Sequence, residues 1–85
     1  MSQEIQLTLI GKPGCHLCDD ALAVVESVLS EFDREIEVEH KNILDDEALF
    51  ARYSEEIPVL LINGKVHNYW RIDPERLRTA ISECL

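Results

Sequence analysis

The dipeptide Asn63-Gly64, set between the runs Val59 to Ile62 and Lys65 to Tyr69, limits the fold more than any other feature of the chain. A two-residue type I′ turn needs positive φ at both central positions, and Asn followed by Gly meets that need. The stretch IPVLLINGKVHNYW therefore predicts an antiparallel hairpin. Ahead of it, residues 4 to 10 alternate polar and apolar with Ile5, Leu7 and Leu9 on one side, the period-two pattern of a strand. Gly11, Pro13 and Gly14 break that strand. From Cys18 to about Phe32, the residues Ala21, Leu22, Val25, Val28, Leu29 and Phe32 recur at helical spacing.

EIEVEHK, residues 35 to 41, alternates again, with Ile36, Val38 and His40 on one face and three glutamates on the other, as on a charge-protected edge strand. A short helix is expected from about Leu44 to Tyr53, with Asn42 or Asp45 near its cap and Ala48 and Leu49 inward. The last helix begins at DPERL. Asp73 serves as N-cap, Pro74 takes the first helical position, and Ile72 is placed to staple onto Leu77. Leu77, Ala80, Ile81, Cys84 and Leu85 form its inward stripe. The order βαβαββα predicts an α/β fold. A right-handed crossover gives a parallel strand pair, and the hairpin adds two antiparallel strands, making a four-stranded mixed sheet with three helices packed on it.

With 85 residues, of which 46% are apolar, the chain is expected to form a single domain spanning 1–85 with one core that needs no disulfide. Its formal net charge of -9 argues against nucleic acid and anionic membrane surfaces as partners. No segment approaches the roughly 20 apolar residues of a membrane span, and the first residues show no signal-peptide pattern. Three cysteines, an odd number, then read as thiols of a reducing, cytoplasmic compartment, and a monomer is expected.

Cys15 and Cys18 stand in GKPGCHLC, where the first strand hands over to the first helix. Thiolate is the reactive form of cysteine. At a helix start, unpaired N–H groups and the positive end of the dipole favour that anion at Cys15. Cys18, one turn later on the same face and deeper in the helix, is within reach for a disulfide. This asymmetry makes Cys15 the attacking sulfur and Cys18 the resolving one. His16 and Lys12 add positive charge nearby, whereas Asp19 and Asp20 oppose it. A zinc site would need two more ligands. Only His16, His40, His67 and Cys84 could contribute, so no metal is expected. Pro58 opens the third strand, a place where a missing N–H is tolerated.

CHLCD, together with IPVL and WRIDPERL, resembles a small glutaredoxin-like family of the thioredoxin-fold superfamily, over nearly the whole chain from Leu7 to Leu85. The resemblance implies a thioredoxin-like, glutaredoxin-type fold and thiol-disulfide oxidoreductase activity on protein disulfides or glutathione mixed disulfides. In it Cys15 is the nucleophile, Cys18 the resolving thiol, and Pro58 a cis proline facing them. Ile57 would offer its backbone to an extended substrate, and Lys12 matches a lysine that helps bind the glutathione carboxylate. No tightly bound cofactor is expected, and glutathione could serve as cosubstrate, the reductant being either glutathione or a flavoprotein reductase.

The chain departs from the glutaredoxin pattern in two places. Glu56 and Ile57 stand where threonine and valine are usual, and HNYWRID occupies the place of a Gly-Gly pair. The alternative in another class is a non-catalytic thioredoxin-fold module that binds an iron-sulfur cluster or a protein partner. Cys84 reads as a buried small hydrophobe, and His40 and His67 as strand residues near the sheet surface. Tyr69 and Trp70 could rim the site or pack in the core.

Overall fold

The computed structural model describes residues 5–33 and 35–84. Four strands and three helices follow the expected βαβαββα order: β1 (Gln6–Gly11), α1 (His16–Leu29), β2 (Glu37–Asn42), α2 (Glu47–Tyr53), β3 (Val59–Ile62), β4 (Lys65–Tyr69) and α3 (Pro74–Cys84). The sheet order is β2-β1-β3-β4. β1 runs parallel to β2 and antiparallel to β3, and β3 pairs antiparallel with β4.

β1 is buried on both faces, which sets the layers. Leu7 and Leu9 point into a core shared with Val25 and Val28 of α1 and with Leu77 and Ile81 of α3. Ile10, offset from Leu9 by one residue, points to the opposite face, into a second cluster with Ile43, Tyr53, Ile57 and Val59. One helix pair therefore covers one side of the sheet and α2 covers the other. β2, with Glu37 and Glu39 exposed, is an edge strand as its charges suggest.

Local signals account for most boundaries. Asn63 and Gly64 adopt φ of 51° and 85°, as a type I′ turn requires. The Asn63 side chain also accepts from the Gln6 N–H at 2.8 Å, which ties the turn to the start of β1. Asp73 Oδ1 accepts from the N–H groups of Glu75 and Arg76 at 2.9 and 3.3 Å, and Ile72 and Leu77 share one buried cluster. Arg78 of α3 grips Glu31, just past α1, through two bonds of 2.9 and 2.7 Å, holding that carboxyl below the usual range.

Several expectations are corrected. α1 begins at His16 rather than Cys18 and ends at Leu29 rather than near Phe32, where the Ser30 hydroxyl donates to the Ser27 carbonyl at 2.6 Å. β2 covers Glu37–Asn42 rather than residues 35 to 41, because its ladder starts opposite Gln6. The helix expected from Leu44 is two elements. Asn42 caps one 3-10 turn over Ile43–Asp45, and Asp46, not Asp45, caps α2 by accepting from the N–H groups of Ala48 and Leu49. Ala48 is exposed; Ile43 and Tyr53 supply the buried contacts instead. Glu4 and Leu85, assigned above to the first strand and the last helix, lie outside the described residues.

Candidate functional site

The turn between β1 and α1 carries the site. β1 ends at Gly11, Gly14 takes a φ of 76°, and the chain enters α1 through Cys15 in an extended conformation. Cys15 is the N-cap. Its Sγ accepts from the Cys18 N–H at 3.2 Å, and its carbonyl accepts from the Asp19 N–H at 3.1 Å. A sulfur here does what a serine or aspartate oxygen usually does at a helix start, satisfying an orphan donor. The same amide is aimed to stabilise negative charge on that sulfur.

Both cysteines are free thiols, half-buried, and packed against the cluster of Ile10, Ile43, Tyr53, Ile57 and Val59. Their environments differ. Burial and the adjoining Cys15 sulfur push the Cys18 thiol up to about 11, with Asp19 adding to the rise and the Lys12 backbone N–H opposing it. Cys18 is therefore held protonated at neutral pH, ready to act only after a proton leaves.

Gly11 makes the seat for Cys18. A Cβ at Gly11 would lie 2.8 Å from Cys18 Sγ and 3.2 Å from Cys18 Cβ, so any larger residue displaces the thiol. Beyond Cys18 opens a cavity of about 310 Å³, lined by Lys12, Asp19, His40 and Lys41 among others. Lys12 is exposed, and with Cys18 it borders that cavity.

Ile57 and Pro58 stand just before β3. Both are buried, and the bond between them is cis. The Ile57 N–H donates to the Tyr53 carbonyl at 3.1 Å, and the Pro58 carbonyl accepts from the Trp70 N–H at 2.8 Å. The structure thus brings Cys15, Cys18 and Ile57 to one cluster, with Lys12 on the solvent side of Cys18. The Ile57 amide is already engaged within the chain. His16 is exposed on the first turn of α1, and His40 is exposed on β2.

One neighbour of the site escaped the sequence reading. Gly11 looked like a strand breaker, and nothing in the sequence signals that its missing side chain accommodates Cys18. Trp70, one of the two aromatics expected either at the rim or in the core, takes a φ of 65°, donates its Nε1 to the Glu55 carbonyl at 3.0 Å and is exposed rather than packed in the core. His67 is a strand residue of β4, as expected, and it is half-buried. The β3–β4 register steps from Leu60 opposite Asn68 to Leu61 opposite Val66, leaving His67 as the extra residue of a bulge. Among the described residues, no group of three or more His, Cys, Asp or Glu side chains is placed to hold a metal ion. Among the described residues, no helix is long and apolar enough to cross a membrane.

Comparison with known proteins agrees with the fold. The family described as Glutaredoxin-like domain (DUF836) matches residues 6–82. An uncharacterized protein of Mycobacterium tuberculosis is 31% identical over 80 residues, covering 91% of this chain and 82% of that protein. The X-ray structure of a structural-genomics target from X. campestris is 30% identical with a TM-score of 0.72, covering 91% of this chain and 96% of that one. The solution structure of a Nitrosomonas europaea protein is 26% identical with a TM-score of 0.76, covering 94% of each. Thioredoxin-2 of a malaria parasite, 15% identical with a TM-score of 0.67 over 98% of this chain and 85% of its own, shares the fold alone.

Proposed function

The chain belongs to the glutaredoxin-like domain family, and from that premise we propose that it is a small dithiol thiol-disulfide oxidoreductase, with Cys15 the nucleophile and Cys18 the resolving thiol. The observation that carries this reading is the sulfur cap: an amide hydrogen bonded to Cys15 at 3.2 Å, supplied by the residue whose own thiol is kept protonated.

The reaction balances as two successive exchanges. The Cys15 thiolate attacks one sulfur of a substrate disulfide, forming a mixed disulfide and releasing the other sulfur as a thiolate that takes up a proton. Cys18 then loses its proton and attacks Cys15 Sγ, so that the Cys15–Cys18 disulfide forms and the second substrate thiol departs. The substrate gains two electrons and the protein loses two. Glutathione or a flavoprotein reductase would return them, which suits a reducing compartment such as the cytoplasm. The substrate is a protein disulfide or a glutathione mixed disulfide. Lys12 offers an exposed cation for a substrate carboxylate, while Ile57 and Pro58 border the approach from the sheet side.

The raised Cys18 thiol gives the order of events. Before substrate arrives, Cys18 is protonated and does not compete as a nucleophile. Reduction of insulin and of a glutathione mixed disulfide by the wild type, Cys15→Ser and Cys18→Ser tests the reading. The wild type should turn over at least one of them and Cys15→Ser neither. Turnover by the wild type no greater than that of Cys15→Ser defeats it.

A further inference from the structure

A groove that the dithiol steps do not use opens beside the cysteine turn. Its cavity of about 210 Å³ lies between α1 and the segment joining β4 to α3, and it begins at Leu17, which stands between the two cysteines. Ala21, Val24 and Ile72 give it apolar walls, Asp20 and Arg71 add one charge of each sign, and Trp70 borders it.

Trp70 is held there against two ordinary preferences. Its φ of 65° is a left-handed conformation that a bulky residue seldom adopts. Its side chain also stays in water, with the residue 53% exposed. Two hydrogen bonds fix it from the side of the Ile57–Pro58 loop: the backbone N–H to the Pro58 carbonyl at 2.8 Å and the indole Nε1 to the Glu55 carbonyl at 3.0 Å. Tyr69 packs edge-on against the indole with centroids 5.1 Å apart. The exposure of this ring is therefore built in. A strained, braced and wet aromatic beside a reactive turn points to recognition rather than packing.

The size of the groove selects its occupant. Sites for drug-sized ligands run from about 300 Å³ upward, so a cavity of about 210 Å³ holds one side chain and not a whole tripeptide. Because the groove starts at Leu17, that side chain is one adjacent to the cysteine under attack. We propose that Trp70 is a specificity-determining residue that selects polypeptide disulfides carrying an apolar side chain next to the reactive cysteine. The assignment rests on the dithiol reading given above.

The test uses two synthetic peptides, each joined to glutathione through a single cysteine, with Leu beside that cysteine in one and Ser in the other. The wild type should prefer the Leu peptide by at least about fivefold in kcat/KM, through KM, the scale of a modest interface anchor. Trp70→Ala should erase that preference while keeping the Ser peptide within about twofold. A preference that survives in Trp70→Ala, or an equal loss on both peptides, overturns the assignment and leaves the dithiol reading standing. Failure of the wild type to exceed Cys15→Ser on either peptide defeats the dithiol reading and this assignment with it. A second measurement leaves Trp70 in place. When Cys18→Ser is trapped through Cys15 with each peptide, the emission of Trp70, the sole tryptophan, should move to shorter wavelength with Leu only. Equal emission from the two adducts contradicts the proposal.

Discussion

The amide N–H of Cys18 donates to the Cys15 sulfur across 3.2 Å, so one cysteine of the pair receives its cap bond from the other. The bond gives the two sulfurs opposite tasks although they lie one helical turn apart. Cys15 stands at the entry of α1, its sulfur facing a backbone amide. Cys18 is sheltered above Gly11, where burial favours the neutral thiol.

Alkylation should read this asymmetry directly. With its thiol pushed up to about 11, only about one Cys18 in ten thousand is ionised at pH 7. Limited iodoacetamide at that pH, followed by peptide mass mapping, should label Cys15 ahead of Cys18. Labelling of Cys18 first contradicts the assignment of roles.

Gly11→Ala should separate the two halves of the exchange. The new methyl would meet Cys18 Sγ at 2.8 Å and force it off its seat. Attack by Cys15, measured by its alkylation rate, should change less than about twofold. Closure of the Cys15–Cys18 disulfide should slow by about tenfold to a hundredfold, as misplacing a reacting atom by an ångström does. An unchanged closure rate shows that Cys18 does not need the space.

The alkaline limb of stability should belong in part to Cys18. Its folded-state value, about 11, lies above the ordinary 9.0. The folded chain therefore holds this proton more tightly than the unfolded chain does. The resulting stabilisation is complete below about pH 9 and is lost as pH rises toward about 11. Urea unfolding at stepped pH should show wild type losing more stability than Cys18→Ala across that window. Parallel curves contradict the burial argument.

His67 should act on the acid side. Burial, with the charge of Arg76 adding to it, lowers its proton affinity below the ordinary imidazole value of 6.5, and its Nε2 finds no hydrogen-bond partner among the described residues. Its neutral form is the one the fold accommodates. Stability it contributes is present above about pH 6.5 and falls as acid drives protonation through the lowered value. His67→Leu should lose less stability than wild type between pH 7 and pH 5. An identical loss places the acid sensitivity elsewhere.

How much of this was legible in the sequence depended on whether the cause is local. Asn63-Gly64 fixes its own turn, Asp73-Pro74 starts its own helix, and the placement of Cys15 at a helix entry follows from the glycines and proline before it. These causes sit within a few residues. Asp46 rather than Asp45 caps α2 because the 3-10 turn that buries Ile43 consumes the preceding positions, and adjacent aspartates look alike in the sequence. The cis bond at Pro58 came from the family resemblance, not from residue patterns. The void at Gly11, the bulge at His67 and the left-handed Trp70 are set by contacts between distant segments, which periodicity does not register.

The central claim is that exchange starts at Cys15 and is finished by Cys18. The most direct measurement is the intact mass of each cysteine variant after incubation with oxidised glutathione. Cys18→Ser should accumulate one glutathione adduct mapped to Cys15, Cys15→Ser should show none at Cys18, and wild type should pass to the internal disulfide. An adduct that forms at Cys18 in Cys15→Ser as readily as at Cys15 in Cys18→Ser would contradict the account.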